Sequence, residues 1–243
     1  MLFKGSAVAL VTPFLEDGSI DKEGMLKLVN FHLENSTDAI VVMGTTGEVS
    51  TTTDEEHIDT IKLVVDAVGN KIPVIAGTAI NDTRHSIELS QAARDVGADG
   101  LLLVTPYYNK GTQHGLYEHF KSIAEAADLP SLIYTVPSRT GVHLSVDLVK
   151  ALSEVPQIAG IKDATGNLSY TMSIREATSD DFAIYSGNDD IIVPMMAAGA
   201  QGVISVLANV LPQETHDITA ACLDGDYEKA LEIALKYHQF TKD

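Results

Sequence analysis

Residues 100–137 read GLLLVTPYYNKGTQHGLYEHFKSIAEAADLPSLIYTVP. An apolar run, Gly100 to Pro106, is followed by a segment, Gln113 to Ala126, whose apolar positions recur every three to four residues, and then by a second apolar run, Ser131 to Pro137. A short run that is apolar at nearly every position reads as a strand buried on both faces, and the intervening period is that of an amphipathic helix. Strand, helix and strand in that order form the parallel βαβ unit. The same rhythm extends in both directions. Further strand-like runs lie at Ser6 to Phe14, Asp38 to Gly44, Pro73 to Thr78, Ile158 to Ala164, Phe182 to Gly187 and Gly202 to Ala208, with helical patterns such as Asp54 to Val68, Thr83 to Val96 and Val146 to Leu152 between them. Eight such units in 243 residues predict an α/β fold, a (β/α)8 TIM barrel. A doubly wound open sheet usually has fewer strands and a phosphate-binding fingerprint after the first, and no G-x-G-x-x-G or G-x-x-x-x-G-K-[ST] occurs here.

No linker, low-complexity tract or charge block divides the chain. Residues 1–224 read as the barrel. After the eighth strand come Pro212 to Leu223 and then Asp226 to Phe240, one helix more than a barrel needs, so residues 225–243 read as the remnant of a C-terminal helical region. Ile191 to Gln213 carries no charge and is long enough to span a bilayer, but Pro194, Gly199, Gly202, Asn209 and Pro212 interrupt it. It reads instead as a short apolar helix followed by a β-branched strand. Met1 to Phe14 lacks the long apolar region of a secretory signal.

Composition narrows the partners. Sixteen Lys+Arg against 34 Asp+Glu give a net charge of −18, which repels phosphate backbones and anionic membrane surfaces. Neither nucleic acid nor a membrane is expected as a partner. The single cysteine, Cys222, excludes an internal disulfide and a thiolate metal cluster, and is compatible with a reducing cytoplasm. His114 and His119 are five residues apart, no H-E-x-x-H occurs, and no metal site is expected. His32, His57, His85, His143, His216 and His238 read as surface or capping residues.

In a barrel the loops after the strands form the active face, so the strand ends carry the chemistry. Lys162 stands within the apolar run beginning at Ile158. A free lysine, with a pKa of about 10.4, is almost wholly protonated at neutral pH and is no nucleophile. Desolvation inside a barrel lowers that value and exposes the lone pair for attack on a carbonyl to form a Schiff base. The structural alternatives are a lysine that snorkels from the strand end or pairs with Asp163. Tyr134 ends the neighbouring strand, where its phenol can move protons during imine formation, or simply pack. Thr45 and either Tyr107 or Tyr108 can extend a hydroxyl relay. Gly44 to Glu48 reads as an anion cradle or a tight turn, with Thr51 to Thr53 capping the next helix. Arg139, after a Pro-Ser turn, offers a fork for a carboxylate or lies solvated on the surface.

Together, Gly44-Thr45-Thr46-Gly47-Glu48, Val104 to Lys110, Tyr134 to Gly141, Gly160 to Asn167, Tyr185-Ser186-Gly187-Asn188-Asp189 and Gly202-Val203-Ile204-Ser205 resemble the dihydrodipicolinate synthase and N-acetylneuraminate lyase family of Schiff-base barrels. The resemblance covers nearly the whole chain, and Val136-Pro137-Ser138-Arg139-Thr140-Gly141 resembles its synthase branch. It implies that Lys162 condenses with pyruvate without a separate cofactor, that Thr45 and Thr46 hold the pyruvate carboxylate, and that Tyr134 donates and accepts protons. The enamine would attack aspartate semialdehyde, whose carboxylate would meet Arg139. Gly187 and Ile204 would line the pyruvate pocket. Tyr108 would complete the relay from an adjacent subunit, implying a homodimer or homotetramer. The related alternative is a 2-keto-3-deoxy sugar acid aldolase or sialic acid lyase, against which Arg139 argues; a catalytically silent keto-acid-binding barrel is the other.

The sequence departs from the family pattern at several positions. Thr135 stands where Asn is usual and Gly111 where Pro is common, both of which would loosen the site. Asn81 and His57 match positions that bind lysine as a feedback inhibitor in some members, but His85 replaces a Glu and Asp54 a His, so weak or absent lysine feedback is expected. Family members also continue through further C-terminal helices after the one ending near Phe240, so the C-terminal extension reads as truncated, with lowered stability or an altered oligomer as its expected cost.

Overall fold

The computed structural model describes residues 1–241. Eight parallel strands close into a barrel in sequence order: β1 (Gly5–Ala9), β2 (Ala39–Val42), β3 (Val74–Gly77), β4 (Gly100–Val104), β5 (Ser131–Thr135), β6 (Ile158–Asp163), β7 (Ala183–Ser186) and β8 (Gly202–Ser205), with β8 paired back onto β1. The helices around it are α1 (Lys22–Glu34), α2 (Asp54–Val68), α3 (Thr83–Asp95), α4 (Gln113–Ala127), α5 (Pro137–Thr140), α6 (Val146–Ser153), α7 (Leu168–Ala177), α8 (Ile192–Ala197), α9 (Pro212–Leu223) and α10 (Tyr227–Tyr237). The predicted (β/α)8 architecture is the observed one.

Each strand stops short of its apolar run. Leu10 to Phe14, Thr105-Pro106, Val136-Pro137 and Val206 to Ala208 all leave the barrel wall. Pairing explains it: β7 and β8 share only Tyr185↔Gly202 and Ser186↔Val203, and prolines 13, 106 and 137 have no N–H to offer a ladder. The last helix is also shorter than its pattern. Asp226 caps it rather than joining it, and His238–Thr241 forms a separate 3-10 turn. Helix starts follow local chemistry: the side chains of Asp21, Thr53, Asp82, Thr112, Ser145 and Asn167 each accept a first-turn backbone N–H, and Thr53 with Glu56 completes a capping box. The uncharged run from Ile191 divides into α8 and β8 as expected, and among the described residues no helix is long and apolar enough to cross a membrane.

Alternation along the strands builds two cores. Val8, Ile40, Val42, Leu101, Leu103, Ile133, Ile161, Ile184 and Val203 face the helices, whereas Ala7, Ala9, Ala39, Val41, Ile75, Leu102, Leu132, Tyr134, Tyr185 and Ile204 fill the barrel. The small residues of β1 and β2 leave room at the closed end for Phe3 to stack on Tyr185, with ring centroids 4.2 Å apart, and the Tyr185 hydroxyl donates to the Phe3 carbonyl at 2.6 Å.

Two histidines read as surface or capping residues lie inside instead. His32 is fully buried with Nδ1 3.0 Å from the Thr37 hydroxyl, and His57 is buried with Nε2 2.8 Å from the Gly77 carbonyl. Both fall on the apolar stripe of their helices, where one satisfied ring nitrogen makes burial tolerable. His119 is buried likewise, against Thr83. Burial pulls the pKa values of His32 and His119 down to about 4, from 6.5. Because both folded values lie below the unfolded one, stability is unaffected above pH 6.5 and falls as pH drops from there toward 4. Each ring is expected to cost on the order of 2 kcal/mol by pH 5. Urea midpoints at pH 7 and pH 5 check this, with His32→Gln and His119→Gln flattening the difference.

Candidate active site

Strand register brings the principal groups together. Tyr134 pairs with Lys162, and Lys162 with Tyr185, so three inward side chains stand side by side on β5, β6 and β7. Ile161 faces the helices, which obliges Lys162 to point into the barrel, and Gly160 below it keeps the wall close: a Cβ there would lie 2.4 Å from the Ala183 carbonyl oxygen. Asp163 faces outward again. Its carboxylate accepts from the Thr165 N–H and hydroxyl at 2.9 and 2.7 Å and from the Thr171 hydroxyl at 2.8 Å, so it ties β6 to α7 and does not pair with Lys162.

Lys162 does not snorkel. It is 5% exposed, its Nζ lies 4.5 Å from the centroid of the Tyr134 ring, and it forms the floor of a cavity of about 720 Å³ open at the C-terminal ends of the strands. Burial lowers its pKa to about 8; Asp189 opposes that shift and Arg139 adds to it. At that value about one lysine in ten is neutral at pH 7, compared with one in a few thousand for a free side chain. Burial raises the pKa of the Tyr134 phenol, partly offset by the Arg139 charge and a hydrogen bond with Thr45, so the hydroxyl is present as a proton donor at neutral pH. The Thr105 N–H and hydroxyl, at 2.9 and 2.8 Å from the Tyr134 carbonyl, fix that strand end.

The walls come from the loops. After β2, the turn bonds Gly47 N–H to Gly44 O and Glu48 N–H to Thr45 O, both 3.1 Å, hold Thr45 and Thr46 at the cavity, and the Thr12 hydroxyl braces the turn at 2.6 Å from the Gly47 carbonyl. Pro137 opens α5, whose last turn carries Arg139 to the rim. Arg139 is exposed, and among the described residues no carboxylate stands within salt-bridge distance of it. Gly187, just after β7, also lines the cavity; a Cβ there would meet the Ala164 Cβ at 2.6 Å.

Two expected site residues are not among those lining this cavity. Ile204 is fully buried in the barrel interior with Tyr134 and Tyr185 and is not among the cavity-lining residues, whereas Val206, Leu207 and Val210 beyond it are. Tyr108, expected to act from an adjacent subunit, is 90% exposed at φ +75° and does not line the cavity of its own chain. A large aromatic side chain in the left-handed region is strained unless something else holds it. Thr135 is fully buried with its hydroxyl unpartnered, which is the local cost of that position. Sequence reasoning gave no role to Asp189, Asn188 or Asn209, which also line the cavity; the polar run after β7 was the signal available. Among the described residues no group of three or more His, Cys, Asp or Glu is placed to hold a metal ion.

A family model described as the dihydrodipicolinate synthetase family matches residues 2–243. The chain belongs to this family. It is 54% identical over 235 residues to the 4-hydroxy-tetrahydrodipicolinate synthase of Caldicellulosiruptor saccharolyticus, covering 97% of this chain and 79% of that relative. Among solved structures, the dihydrodipicolinate synthase of Aquifex aeolicus aligns with a TM-score of 0.97 at 47% identity, over 99% of this chain and 82% of that one. The chloride-inhibited dihydrodipicolinate synthase of Acinetobacter baumannii complexed with pyruvate aligns with a TM-score of 0.96 at 47% identity, over 98% and 82%.

Proposed function

We propose that this chain acts as a 4-hydroxy-tetrahydrodipicolinate synthase, a pyruvate-dependent Schiff-base lyase that condenses pyruvate with aspartate semialdehyde in lysine and diaminopimelate biosynthesis. The observation that carries the reading is Lys162: a buried amine with its pKa brought down to about 8, on the floor of an open cavity and beside a phenol. Identity with named synthases over nearly the whole chain supports the same reaction.

In this reading the neutral amine of Lys162 adds to the keto carbon of pyruvate, and loss of water leaves an imine. Thr45 and Thr46 hold the carboxylate. The imine draws electrons from the methyl carbon, Tyr134 and the hydroxyls around it carry a proton away, and the enamine carbon attacks the aldehyde, whose oxygen takes up a proton. The lysine itself is the electron sink, so no external cofactor is required. The unpaired guanidinium of Arg139 at the rim suits the carboxylate of aspartate semialdehyde and gives a polyhydroxylated sugar aldehyde no matching charge. The reading includes a homodimer or homotetramer in which Tyr108 of a second copy reaches Thr45 and Tyr134, since within one chain Tyr108 points to solvent.

Arg139→Ala is expected to lower kcat/KM for aspartate semialdehyde by about 10- to 100-fold, the worth of a charge-assisted carboxylate contact, while pyruvate still forms a reducible adduct. Condensation rates with aspartate semialdehyde, glyceraldehyde and N-acetylmannosamine measure the specificity. Preference of the unmodified protein for either of the last two would overturn the assignment.

A further inference from the structure

Four charged side chains line the cavity: Lys162, Arg139, Asp189 and Asp190. Asp190 is exposed at the rim. Asp189 is held differently. It lies in the 3-10 turn Asp189–Ile191, and its Oδ2 accepts two backbone N–H groups from the loop after the neighbouring strand β8, Val206 at 3.0 Å and Leu207 at 2.9 Å. Its Oδ1 is buried with no hydrogen-bond partner. A carboxylate with one oxygen anchored by two donors and the other dry is costly unless a cation shares its low-dielectric surroundings.

Lys162 is the buried cation of that cavity. Around it, β5 presents the Tyr134 phenol, β7 presents Tyr185 with its hydroxyl turned to Phe3 at the closed end, α5 carries Arg139, and the loop after β2 carries Thr45. Asp163, adjacent on β6, is committed to Thr165 and Thr171. Asp189 is therefore the anchored negative group on the lysine's side of the barrel.

We propose that Asp189 is an electrostatic positioning residue for Lys162, with the β8 loop N–H groups clamping its carboxylate where it favours a cationic lysine nitrogen over a neutral one. The inference rests on the assignment of Lys162 as the imine-forming amine. The net reaction at that nitrogen is Lys162–NH3⁺ plus a keto carbonyl giving Lys162–NH⁺=C plus water. The proton lent to release the lone pair returns when the carbinolamine hydroxyl leaves as water, so the nitrogen is cationic at both ends and neutral from attack through the carbinolamine. Asp189 thus stabilises the resting ammonium and the protonated imine, and Arg139 opposes it. The protonated imine is the form that withdraws electrons from the neighbouring carbon.

Asp189→Asn keeps an oxygen to accept from Val206 and Leu207 and removes the charge. The measurement is the initial rate at which Lys162 gains the mass of a pyruvate adduct under sodium cyanoborohydride, followed against pH with the site located by peptide mapping. The acid limb of this profile is expected to move down by at least about half a pH unit in Asp189→Asn and in the second neutral variant, Asp189→Ser. It is expected to stay in place in Asp190→Asn. Thermal melting identifies a variant that has lost its fold, and the other neutral replacement then carries the comparison. A folded Asp189 variant whose limb superimposes on that of the unmodified protein, or an equal shift in Asp190→Asn, overturns the role of Asp189. Absence of any Lys162 adduct in the unmodified protein overturns the Schiff-base reading instead, and the inference falls with it.

Discussion

Lys162→Met should leave a folded protein that gains no mass with pyruvate and cyanoborohydride and turns over at least about three orders of magnitude more slowly. Methionine fills a similar shape and removes the amine, so lost activity with retained fold separates chemistry from packing. The same variant is expected to be harder to unfold. Because the folded pKa of Lys162, about 8, lies below its ordinary 10.5, the protonated side chain is less stable inside the barrel than in the unfolded chain. That penalty is complete below pH 8 and disappears as pH rises through 10.5, so the gain from Lys162→Met is largest at neutral pH, on the order of 3 kcal/mol. Chemical denaturation at pH 7 and pH 10, alongside the trapping assay, checks both halves. A methionine variant that retained the adduct would assign the chemistry to another amine.

Tyr134→Phe should lower kcat by about 10²- to 10³-fold, the usual worth of a positioned general acid–base group, and slow imine formation without preventing it. The ring that packs in the barrel interior remains, and only the hydroxyl near Thr45 is lost, so the melting temperature should change little. Thr45→Val would remove both a neighbour of the phenol and a contact to the pyruvate carboxylate, so it should raise the KM for pyruvate as well as lower kcat, whereas Tyr134→Phe acts chiefly on kcat. Single-turnover measurements with excess enzyme separate the imine step from carbon–carbon bond formation; equal turnover by the phenylalanine variant would remove Tyr134 from the proton path.

Much of the barrel was legible because strands buried on both faces are apolar at almost every position, and because the helix Asp54 to Val68 shows its period and, just before it, its cap Thr53 in the sequence. Strand ends were less legible. An apolar residue such as Val206 looks the same whether a ladder continues or, as here, the chain turns away to line the cavity. Lys162 stood out as a charge in an apolar run, but a run apolar at every position does not say which way the lysine faces; that is settled by Ile161 packing outward beside it. Asp189 did not stand out, since a carboxylate in a Gly187-Asn188-Asp189-Asp190 run resembles an ordinary loop residue; what sets it apart is two N–H groups 17 and 18 residues further along the chain. His57 was misplaced for a similar reason: the Gly77 carbonyl that makes its burial tolerable belongs to another strand.

The stacked pair of Phe3 and Tyr185 packs the barrel interior on the side of Lys162 away from the cavity, and the cavity that reaches the lysine opens among the loops after the strands. Both reactants and the product must use the same doorway. An aldehyde parked at Arg139 would stand in the path of any keto acid still outside, so traffic is ordered: the smaller molecule goes in first and is tethered, and the larger one follows. A surplus of the second reactant should therefore obstruct the first, a queue imposed by architecture before any chemistry begins.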